Sequence, residues 1–235
     1  SEDEPMEREV AIDPEMLGKV FENLLDLKDR KSKGAFYTPR EIVHYMCQES
    51  LVNYLTKNMD ISENAIRSFI LYGDFYKDAD TEKTKKVENN GKFHYEFDTE
   101  RVLKISPEIF DPKNKINRLN EIDELLKTIR VADPAVGSGA FPLGMLNEIV
   151  RARQNLTSYM TVTMTAYNAR MMRINERSVY RLKYETIRNC IFAADIEPSA
   201  VDIARLRLWL ALVIDDEINP EAQNPLDGHR NPLPL

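Results

Sequence analysis

The segment from Arg130 to Pro142, RVADPAVGSGAFP, constrains the fold of this chain more than any other. A short β-branched run ends in Asp133, a Gly-x-Gly turn follows, and an apolar helical pattern begins directly after the turn. Because Gly137 and Gly139 carry no Cβ atom, a ligand can approach the backbone, and the free N–H groups of the following helix point towards the loop. The order of strand, loop and helix therefore predicts a nucleotide-type site in an α/β fold.

Two common nucleotide-binding loops do not fit this segment. A dinucleotide fingerprint requires a small residue three positions after its second glycine, where this chain has Pro142, and a nicotinamide-binding protein has its ribose-binding acid about 20 residues after the loop. The nearest suitable acid here, Asp195, lies much further along the chain. A phosphate-binding P-loop requires Gly-Lys-Ser/Thr, but Gly144 is followed by Met145. The loop therefore suits a ligand that lacks a pyrophosphate.

Composition narrows the class of protein. With 235 residues, of which 43% are hydrophobic, the chain can form one good-sized domain or a domain with a helical annex. Its net charge of −7 has the wrong sign for gripping a DNA backbone alone, because such binding is driven by counterion release. Two cysteines, no signal-like N-terminus and no long apolar run predict a cytoplasmic protein without a membrane partner. The three scattered histidines lack metal-ligand spacing, so we predict no metal site.

The first half of the chain has mainly helical patterns. Apolar residues at helical spacing predict an amphipathic helix at about 13–27 and another at 116–129. The string TPRE, from Thr38 to Glu41, has the pattern of a capping box in which the threonine hydroxyl accepts the Glu41 amide proton. The apolar positions that follow this string predict a helix there as well.

Three other segments have weaker signals. Residues 77–92 are charged and lack apolar periodicity, which predicts an exposed loop, whereas residues 93–97 and 102–105 alternate as in a small hairpin. The stretch 164–190 collects positive charge, and both a DNA-binding patch and a solvated helical face fit it; we favour the solvated face. The tail, 216–235, is rich in Pro, Asn and Asp and predicts a loop.

A second apolar strand is predicted at 190–195, and it ends in Asp195. One explanation of this acid is that it stabilises the N-terminus of the helix beginning at Pro198. The other, which we favour, is a ligand contact. An acid at the tip of the strand next to the one that precedes the glycine loop can accept two ribose hydroxyls. The following helix is apolar nearly all round and must be covered on several sides, so we also expect self-association of the chain.

Three strings carry a family resemblance. The string DPAVGSGAF resembles motif I of S-adenosylmethionine-dependent DNA methyltransferases that modify an exocyclic amino group, particularly the adenine-specific enzymes of type I and type IIG restriction-modification systems. FYTP, which ends at Pro39, is similar to their motif X, and ADIEPSA, which starts at Ala194, is similar with its helix RLRLWL to their motif II. The resemblance extends from about Asp13 to Val213, and the order X, I, II is that of the γ class of amino methyltransferases.

The resemblance implies a seven-stranded, mostly parallel sheet with helices on both faces, of which only two strands are recognisable. The expected fold is therefore α/β, with a helical N-terminal region carrying motif X (1–128) that leads into an incomplete Rossmann-like S-adenosylmethionine-dependent methyltransferase sheet (129–215) and a loop-like tail (216–235). The chain lacks the Asn/Asp-Pro-Pro-Tyr/Phe catalytic motif of the family, so we predict no catalytic residues within it. We expect the cofactor-facing part of a longer, site-specific adenine-N6 DNA methyltransferase, truncated before that motif. Double-stranded DNA would be bound by parts outside this chain.

The resemblance also implies a binding site for S-adenosyl-L-methionine. Its residues would be Tyr37, Thr38, Pro39, Asp133, Ala135, Gly137, Ser138, Gly139, Asp195 and Ile196. Asp195 would bind the ribose, and Asp133 would hold the loop and the cofactor amino group. The methionine end of the cofactor would lie alongside the two glycines. Tyr37 and Ile196 would face the adenine, and the Thr-Pro turn would shape the methionine side. An alternative stays open, a non-catalytic cofactor-binding or assembly module that a partner chain completes.

Overall fold

The computed structural model describes residues 38–73, 84–89, 92–97, 105–111, 114, 116–161, 168–169, 172 and 177–213. Within these ranges the chain is mostly helical and has three two-stranded sheets, a mixed arrangement that is compatible with the α/β class. The helix predicted at 13–27, the tail predicted at 216–235 and the site residue Tyr37 lie outside the described residues.

The first described helix, α1, spans Arg40–Asn58. The helix predicted after the TPRE string is confirmed, but the capping box at Thr38 is wrong. Pro39 occupies the N-cap position, and no side chain caps the helix there. The Pro39 carbonyl accepts hydrogen bonds from the N–H groups of Ile42 and Val43. Since Pro39 adopts an extended backbone with ψ of 141°, the helix begins one residue later than a cap at Thr38 would require.

Two further helices belong to the described part of the N-terminal half. Helix α2 spans Glu63–Tyr72, and its first turn is capped by Ser62, whose hydroxyl accepts the N–H of Ala65 at 3.3 Å. Helix α3 spans Leu119–Thr128. The prediction of this helix is confirmed except at its start, because Ile116–Asn117 forms a short strand instead.

Two antiparallel pairs lie between α2 and α3. Strand β1, Thr84–Asn89, pairs with β2, Lys92–Phe97, and strand β3, Phe110–Asp111, pairs with β4, Ile116–Asn117. The predicted strand at 93–97 is confirmed, but its partner precedes it in the sequence, so the loop predicted over 77–92 is wrong for β1. Two residues, Asn-Gly, separate β1 from β2, and this dipeptide is strongly preferred in two-residue hairpin connections.

The third sheet contains the strand that precedes the glycine loop. Strand β5, Val131–Asp133, pairs in parallel with β6, Ile191–Ala193, and α4, Ala140–Thr161, and α5, Val179–Cys190, lie between them in sequence. Helix α6, Pro198–Val213, follows β6. These elements confirm the two predicted strands and the helices predicted after them. Because parallel strands end at the same edge of a sheet, the segments that follow β5 and β6 are brought together.

Helix α4 is the central helix, because it is buried on two faces. One face joins α1, α2 and α3 in the main core through Met145, Ile149, Ala152, Leu156 and Tyr159. The other face joins α5 and α6 in a smaller core through Leu143, Leu146 and Val150. Neighbouring members of each set are three or four positions apart, as a helical face requires. Packing on both sides fixes the N-terminus of α4, where the glycine loop ends.

A buried ion-pair cluster joins α3 to α4, to α5 and to the residue Arg177 just before α5. Asp123 accepts from Arg153 Nε at 3.0 Å and from both terminal nitrogens of Arg177 at 2.7 Å, and Arg153 also contacts Glu185 at 3.3 Å. We refer to these four side chains as the Asp123 cluster. Burial alone would raise the pKa of Asp123, but the hydrogen bonds and charges of Arg177 and Arg153 outweigh it and hold this pKa below its usual value.

The Asp123 cluster corrects the interpretation of one residue in the basic stretch 164–190. Arg177 is neither on a solvated face nor available to DNA, because its side chain is only 9% exposed and is held by Asp123. Arg181, by contrast, is exposed and pairs with Glu185 at 3.2 Å, as expected for a solvated face. The charge count alone could not separate these two arginines.

Helix α6 is covered on one face only within the described part of the chain. Its buried residues are Ala200, Ala204, Arg207, Ala211 and Leu212. Apolar side chains of α6, β6 and the turn between them remain exposed, namely Phe192, Ile196, Leu206, Trp209 and Val213. We call these five the exposed apolar set. Their exposed fractions range from 37% for Trp209 to 98% for Ile196, so this surface has no cover among the described residues.

Candidate ligand site at the glycine loop

The loop 134–139 connects β5 to α4, and its two glycines have different roles. Gly137 and Gly139 have φ angles of +51° and +86°, a region that residues with side chains rarely adopt. A Cβ atom added at Gly137 would meet no atom within 4 Å, whereas one added at Gly139 would lie 2.8 Å from the Cβ of Ala204 in α6. Gly137 therefore leaves room above the backbone, and Gly139 permits close packing of the loop against α6.

Asp195 ties the tip of β6 to this loop. Its Oδ2 accepts the N–H of Gly137 at 2.8 Å, and its Oδ1 accepts the N–H of Glu197 at 2.9 Å. The amides of Glu197 and Gly137 hold the pKa of Asp195 below its usual value, so the carboxylate is ionised at neutral pH. From the sequence we predicted a ligand contact for this acid, but not its bond to the loop.

Asp133 forms the other side of the loop. Its Oδ1 accepts the N–H of Ala135 at 3.0 Å, and its carbonyl accepts the N–H of Ala194 at 2.9 Å. The N–H of Val136 donates in turn to the Ala194 carbonyl at 3.0 Å. Backbone pairing thus continues past the last residues of β5 and β6, and it brings both acids to the same edge.

A third contact to the loop comes from α6. Arg207 is 4% exposed, and its Nη1 donates to the Ser138 carbonyl at 2.7 Å and approaches the Ser138 hydroxyl oxygen at 3.2 Å. Sequence analysis missed this residue. The only available signal was an arginine within an apolar helix, and the string RLRL contains two, of which Arg205 is exposed.

A cleft of about 260 Å³ lies between the start of α1, the glycine loop, α4 and α6. This first cleft brings together Thr38 and Ser138, two predicted site residues from distant parts of the sequence. Its polar lining also includes Arg40, His44, Asn147, Glu148, Arg151 and Arg207. Pockets that enclose a drug-sized ligand usually measure about 300–1,000 Å³, so this cleft would accommodate part of such a ligand.

The buried charge in the first cleft is balanced within the protein. Glu148 accepts from His44 Nδ1, from Gln48 Nε2 at 3.2 Å and from Arg151 at 2.6 Å. Arg151 also donates to the Ile70 carbonyl at 2.8 Å. These bonds join α1, α2 and α4, and they account for the buried carboxylate without a ligand.

A second cleft of about 290 Å³ lies between α1 and the tip of β5. Asp133 and Pro134 line it together with apolar residues of α1 and α4 and with Cys47. Burial, together with the charge of Glu148, raises the pKa of the Cys47 thiol to about 12, so this thiol stays protonated and is a poor nucleophile. Asp195 lines neither the first nor the second cleft.

Six of the predicted site residues fall into two groups. Asp133, Ala135, Gly137 and Asp195 are joined by hydrogen bonds around the loop, whereas Thr38 and Ser138 face the first cleft. Gly139 packs on α6, Pro39 is exposed at the start of α1, and Ile196 is 98% exposed beside Asp195. All of these lie at the carboxyl edge of the β5–β6 pair or at the start of α1.

No group of three or more His, Cys, Asp or Glu side chains in the described ranges is arranged to hold a metal ion. No helix in that part of the chain is both long enough and apolar enough to cross a membrane.

A glycine loop after a parallel strand, bonded to an acid on the neighbouring strand tip, is typical of the ligand sites of α/β proteins. The chain is similar to a protein of Methanocaldococcus jannaschii that is provisionally named a type II restriction enzyme and methyltransferase, with 30% identity over 210 residues. The alignment covers 87% of this chain and 14% of that protein. No family model matches the chain, and no solved structure matches it significantly. The chain therefore spans only a small part of the length of that protein.

Proposed function

We propose that this chain binds S-adenosyl-L-methionine as the cofactor-binding part of a site-specific DNA adenine-N6 methyltransferase in a restriction-modification system. The observation that carries the proposal is the hydrogen bond between the Asp195 carboxylate and the N–H of Gly137, since it joins the motif I and motif II segments at one point. The similarity to the M. jannaschii protein supports methyltransferase chemistry. In this proposal β5 and β6 are two strands of a Rossmann-like sheet within 129–215, preceded by the helical region 1–128.

The contacts suggest how a cofactor would be held. A carboxylate has about four acceptor positions, so Asp195 keeps capacity for ribose hydroxyls beside its bonds to backbone amides. The open space at Gly137 admits the methionine end, which would extend towards Thr38 and Ser138 in the first cleft. Ile196 offers an exposed apolar side chain to the adenine, and we assign Tyr37 to the same ring.

The proposed reaction transfers the sulfonium methyl group to N6 of adenine. This amine lies inside the duplex and is a poor nucleophile, so the base must be flipped out and its N–H groups held by acceptors. The 235 residues contain no Asn/Asp-Pro-Pro-Tyr/Phe string that could supply these acceptors, so other parts of the whole enzyme would provide them. Those parts would also hold double-stranded DNA, because this chain carries a net charge of −7. We place the enzyme in the cytoplasm.

Replacing Asp195 with alanine tests this proposal against the neighbouring acid. We expect Asp195→Ala to raise the Kd for S-adenosylmethionine roughly 10- to 100-fold, the usual effect of losing a hydrogen bond to a charged group. Glu197→Ala should change the Kd less, because Glu197 meets Asp195 only through its backbone N–H. Isothermal titration calorimetry on this chain and on its longer parent protein measures both.

The same titration has outcomes that contradict the proposal. Equal losses of affinity in the two variants would mean that the ribose-binding acid is wrongly assigned. If the parent protein bound no S-adenosylmethionine, the assignment of this cofactor would be wrong. Because Asp195→Ala also removes a bond to the loop, urea unfolding of each variant must show that the fold is intact.

Enzyme assays should detect no methyl transfer to duplex DNA by this chain alone.

The exposed apolar set favours a second candidate function, a cofactor-binding or assembly module completed by a partner chain. Phe192 and Ile196 are exposed beside a sheet that has only two strands among the described residues, and Trp209 is exposed on the adjacent helix. Parallel sheets normally have both faces covered. Another copy of the chain, a partner chain or the remainder of a longer protein could supply that cover.

We expect the isolated chain to self-associate or to bind a hydrophobic dye through the exposed apolar set. Contiguous apolar surface of more than a few hundred Å² commonly marks an interface. Sedimentation and dye fluorescence measure this, and Trp209→Lys should reduce both effects, whereas the exposed Arg205→Lys should not. A monomer that binds no dye, and that binds cofactor as tightly as its longer parent, would contradict the expectation that the fold is incomplete.

A further inference from the structure

The loop is held at three successive residues by one segment of the chain, 195–207. Asp195 accepts the N–H of Gly137, Arg207 donates to Ser138, and Ala204 packs directly against Gly139. The Ala204 contact is van der Waals packing, and in the Asp195 contact an ionised carboxylate accepts a backbone amide proton. The Arg207 contact differs because it brings a buried guanidinium to a backbone carbonyl.

The peptide group between Ser138 and Gly139 is the part of the loop that Arg207 controls. Its N–H belongs to Gly139, which has a φ of +86° and donates to the Val136 carbonyl at 2.9 Å, while its carbonyl oxygen is the group that Arg207 holds. Because glycine crosses regions of positive φ at low cost, this peptide can rotate once its carbonyl is released. The Nη1–carbonyl distance of 2.7 Å is that of a strong, charge-assisted hydrogen bond. The contact to the Ser138 hydroxyl at 3.2 Å adds a second link to the same residue.

We propose that Arg207 is a positioning residue that fixes the orientation of the Ser138–Gly139 peptide in the cofactor loop. This inference rests on the proposed function only in naming the ligand, since the geometry of the loop is independent of it. Ser138 and Arg207 also line the first cleft together, so a change in this peptide alters the wall facing a bound cofactor. Cofactor affinity is then set partly by Arg207 through the orientation of the Ser138–Gly139 peptide.

Hydrogen–deuterium exchange followed by NMR tests the role of Arg207 without any ligand. In Arg207→Met the amides of Gly137 and Gly139 should exchange roughly 10- to 100-fold faster, because loss of the charged hydrogen bond to Ser138 makes it easier for the loop to open and release these amides from Asp195 and from the Val136 carbonyl. The amide of Ile149, in the buried centre of α4, should keep its rate. Arg207→Lys retains one donor and should restore part of the protection, and it also serves if Arg207→Met fails to fold.

Arg205→Met is the matched control, because Arg205 belongs to the same helix but is exposed and pairs with Asp202 at 3.8 Å. It should leave all three amides unchanged. Unchanged exchange at Gly137 and Gly139 in Arg207→Met, or equal acceleration at Ile149, would overturn the positioning role. Equal behaviour of the Lys and Met variants would overturn it as well.

A titration of the parent protein with S-adenosylmethionine separates this inference from the proposed function. Arg207→Met should weaken binding by about the same factor as it accelerates loop exchange, while Arg205→Met should bind as the wild type does. If the wild type bound no cofactor, the proposed function would fail, and the exchange rates would still decide the role of Arg207. If exchange accelerated but affinity did not change, the link between the Ser138–Gly139 peptide and the cofactor would be wrong.

Discussion

Replacing Asp123 with alanine is expected to lower the free energy of unfolding by about 3–5 kcal/mol, the usual cost of removing one partner from a buried ion pair. The substitution would leave the guanidinium groups of Arg153 and Arg177 buried without the carboxylate that both contact. Urea unfolding measures the loss. The matched control is Glu124→Ala on the same helix, because Glu124 is exposed and pairs with Lys127 at 3.4 Å, a surface contact worth roughly 0–1 kcal/mol.

The pH dependence of stability gives an independent check on Asp123. The folded protein lowers the pKa of this carboxyl, so its contribution is present above the unfolded pKa of about 3.9 and is lost as pH falls through the folded value. The difference in stability between wild type and Asp123→Asn should therefore be full near neutral pH and should shrink below about pH 4. A difference that stayed constant on acidification would contradict the role of the ionised carboxylate.

Gly139→Ala should also have a large effect, a loss of about 2–5 kcal/mol of stability. Part of the loss, about 1–2 kcal/mol, comes from placing a side chain at a φ of +86°. The rest, about 1–3 kcal/mol, comes from overpacking, since the new Cβ would lie 2.8 Å from the Cβ and 3.0 Å from the Cα of Ala204. A backbone atom cannot move aside as a flexible side chain can. Thermal or urea unfolding of the variant provides the measurement.

Gly137→Ala is the natural comparison, because this residue also has positive φ but an added Cβ would meet no atom within 4 Å. We expect Gly137→Ala to lose less stability than Gly139→Ala, about 1–2 kcal/mol. Relative to that loss of stability, its loss of cofactor affinity should be larger than that of Gly139→Ala. If the two variants were equally destabilised, the contact between Gly139 and Ala204 would contribute nothing. If Gly137→Ala bound the cofactor normally, the space above Gly137 would not be part of the ligand site.

Local signals in the sequence were sufficient for the elements around the loop. The β-branched run before Asp133, the glycines after it and the apolar strand that ends near Asp195 predicted β5, the loop and β6. The helix beginning at Pro198 was predicted as well. Each of these signals depends on a few adjacent residues, and hydrophobic periodicity and turn chemistry reveal such residues directly.

Where local patterns allowed two solutions, the prediction was wrong. Thr38 and Pro39 fit either a capping threonine or a proline at the N-cap, and the structure has the second. For β1, the charge of the segment predicted a loop. The Asn-Gly pair after Asn89 favours a hairpin instead, and the structure has the hairpin pairing. In both cases the competing rule was visible in the sequence.

Contacts between distant segments could not be predicted. The need for glycine at position 139 depends on Ala204, and the burial of Arg207 depends on the position of Ser138. The same holds for Asp123 and Arg177, which are 54 residues apart. In the sequence these charges look like any solvated residues, because nothing in their neighbours indicates which ones become buried.

The bond between Asp195 and Gly137 has a consequence for the order of folding. The two residues are 58 positions apart, and the parallel strands they follow are only three residues long each. Closing so long a segment costs entropy, and three residue pairs of sheet offset little of it, so we expect α4 and α5 to pack before the strands pair. We therefore expect the loop to acquire its final conformation after the helices have packed. A folding chain would then have a helical core before its ligand site had formed.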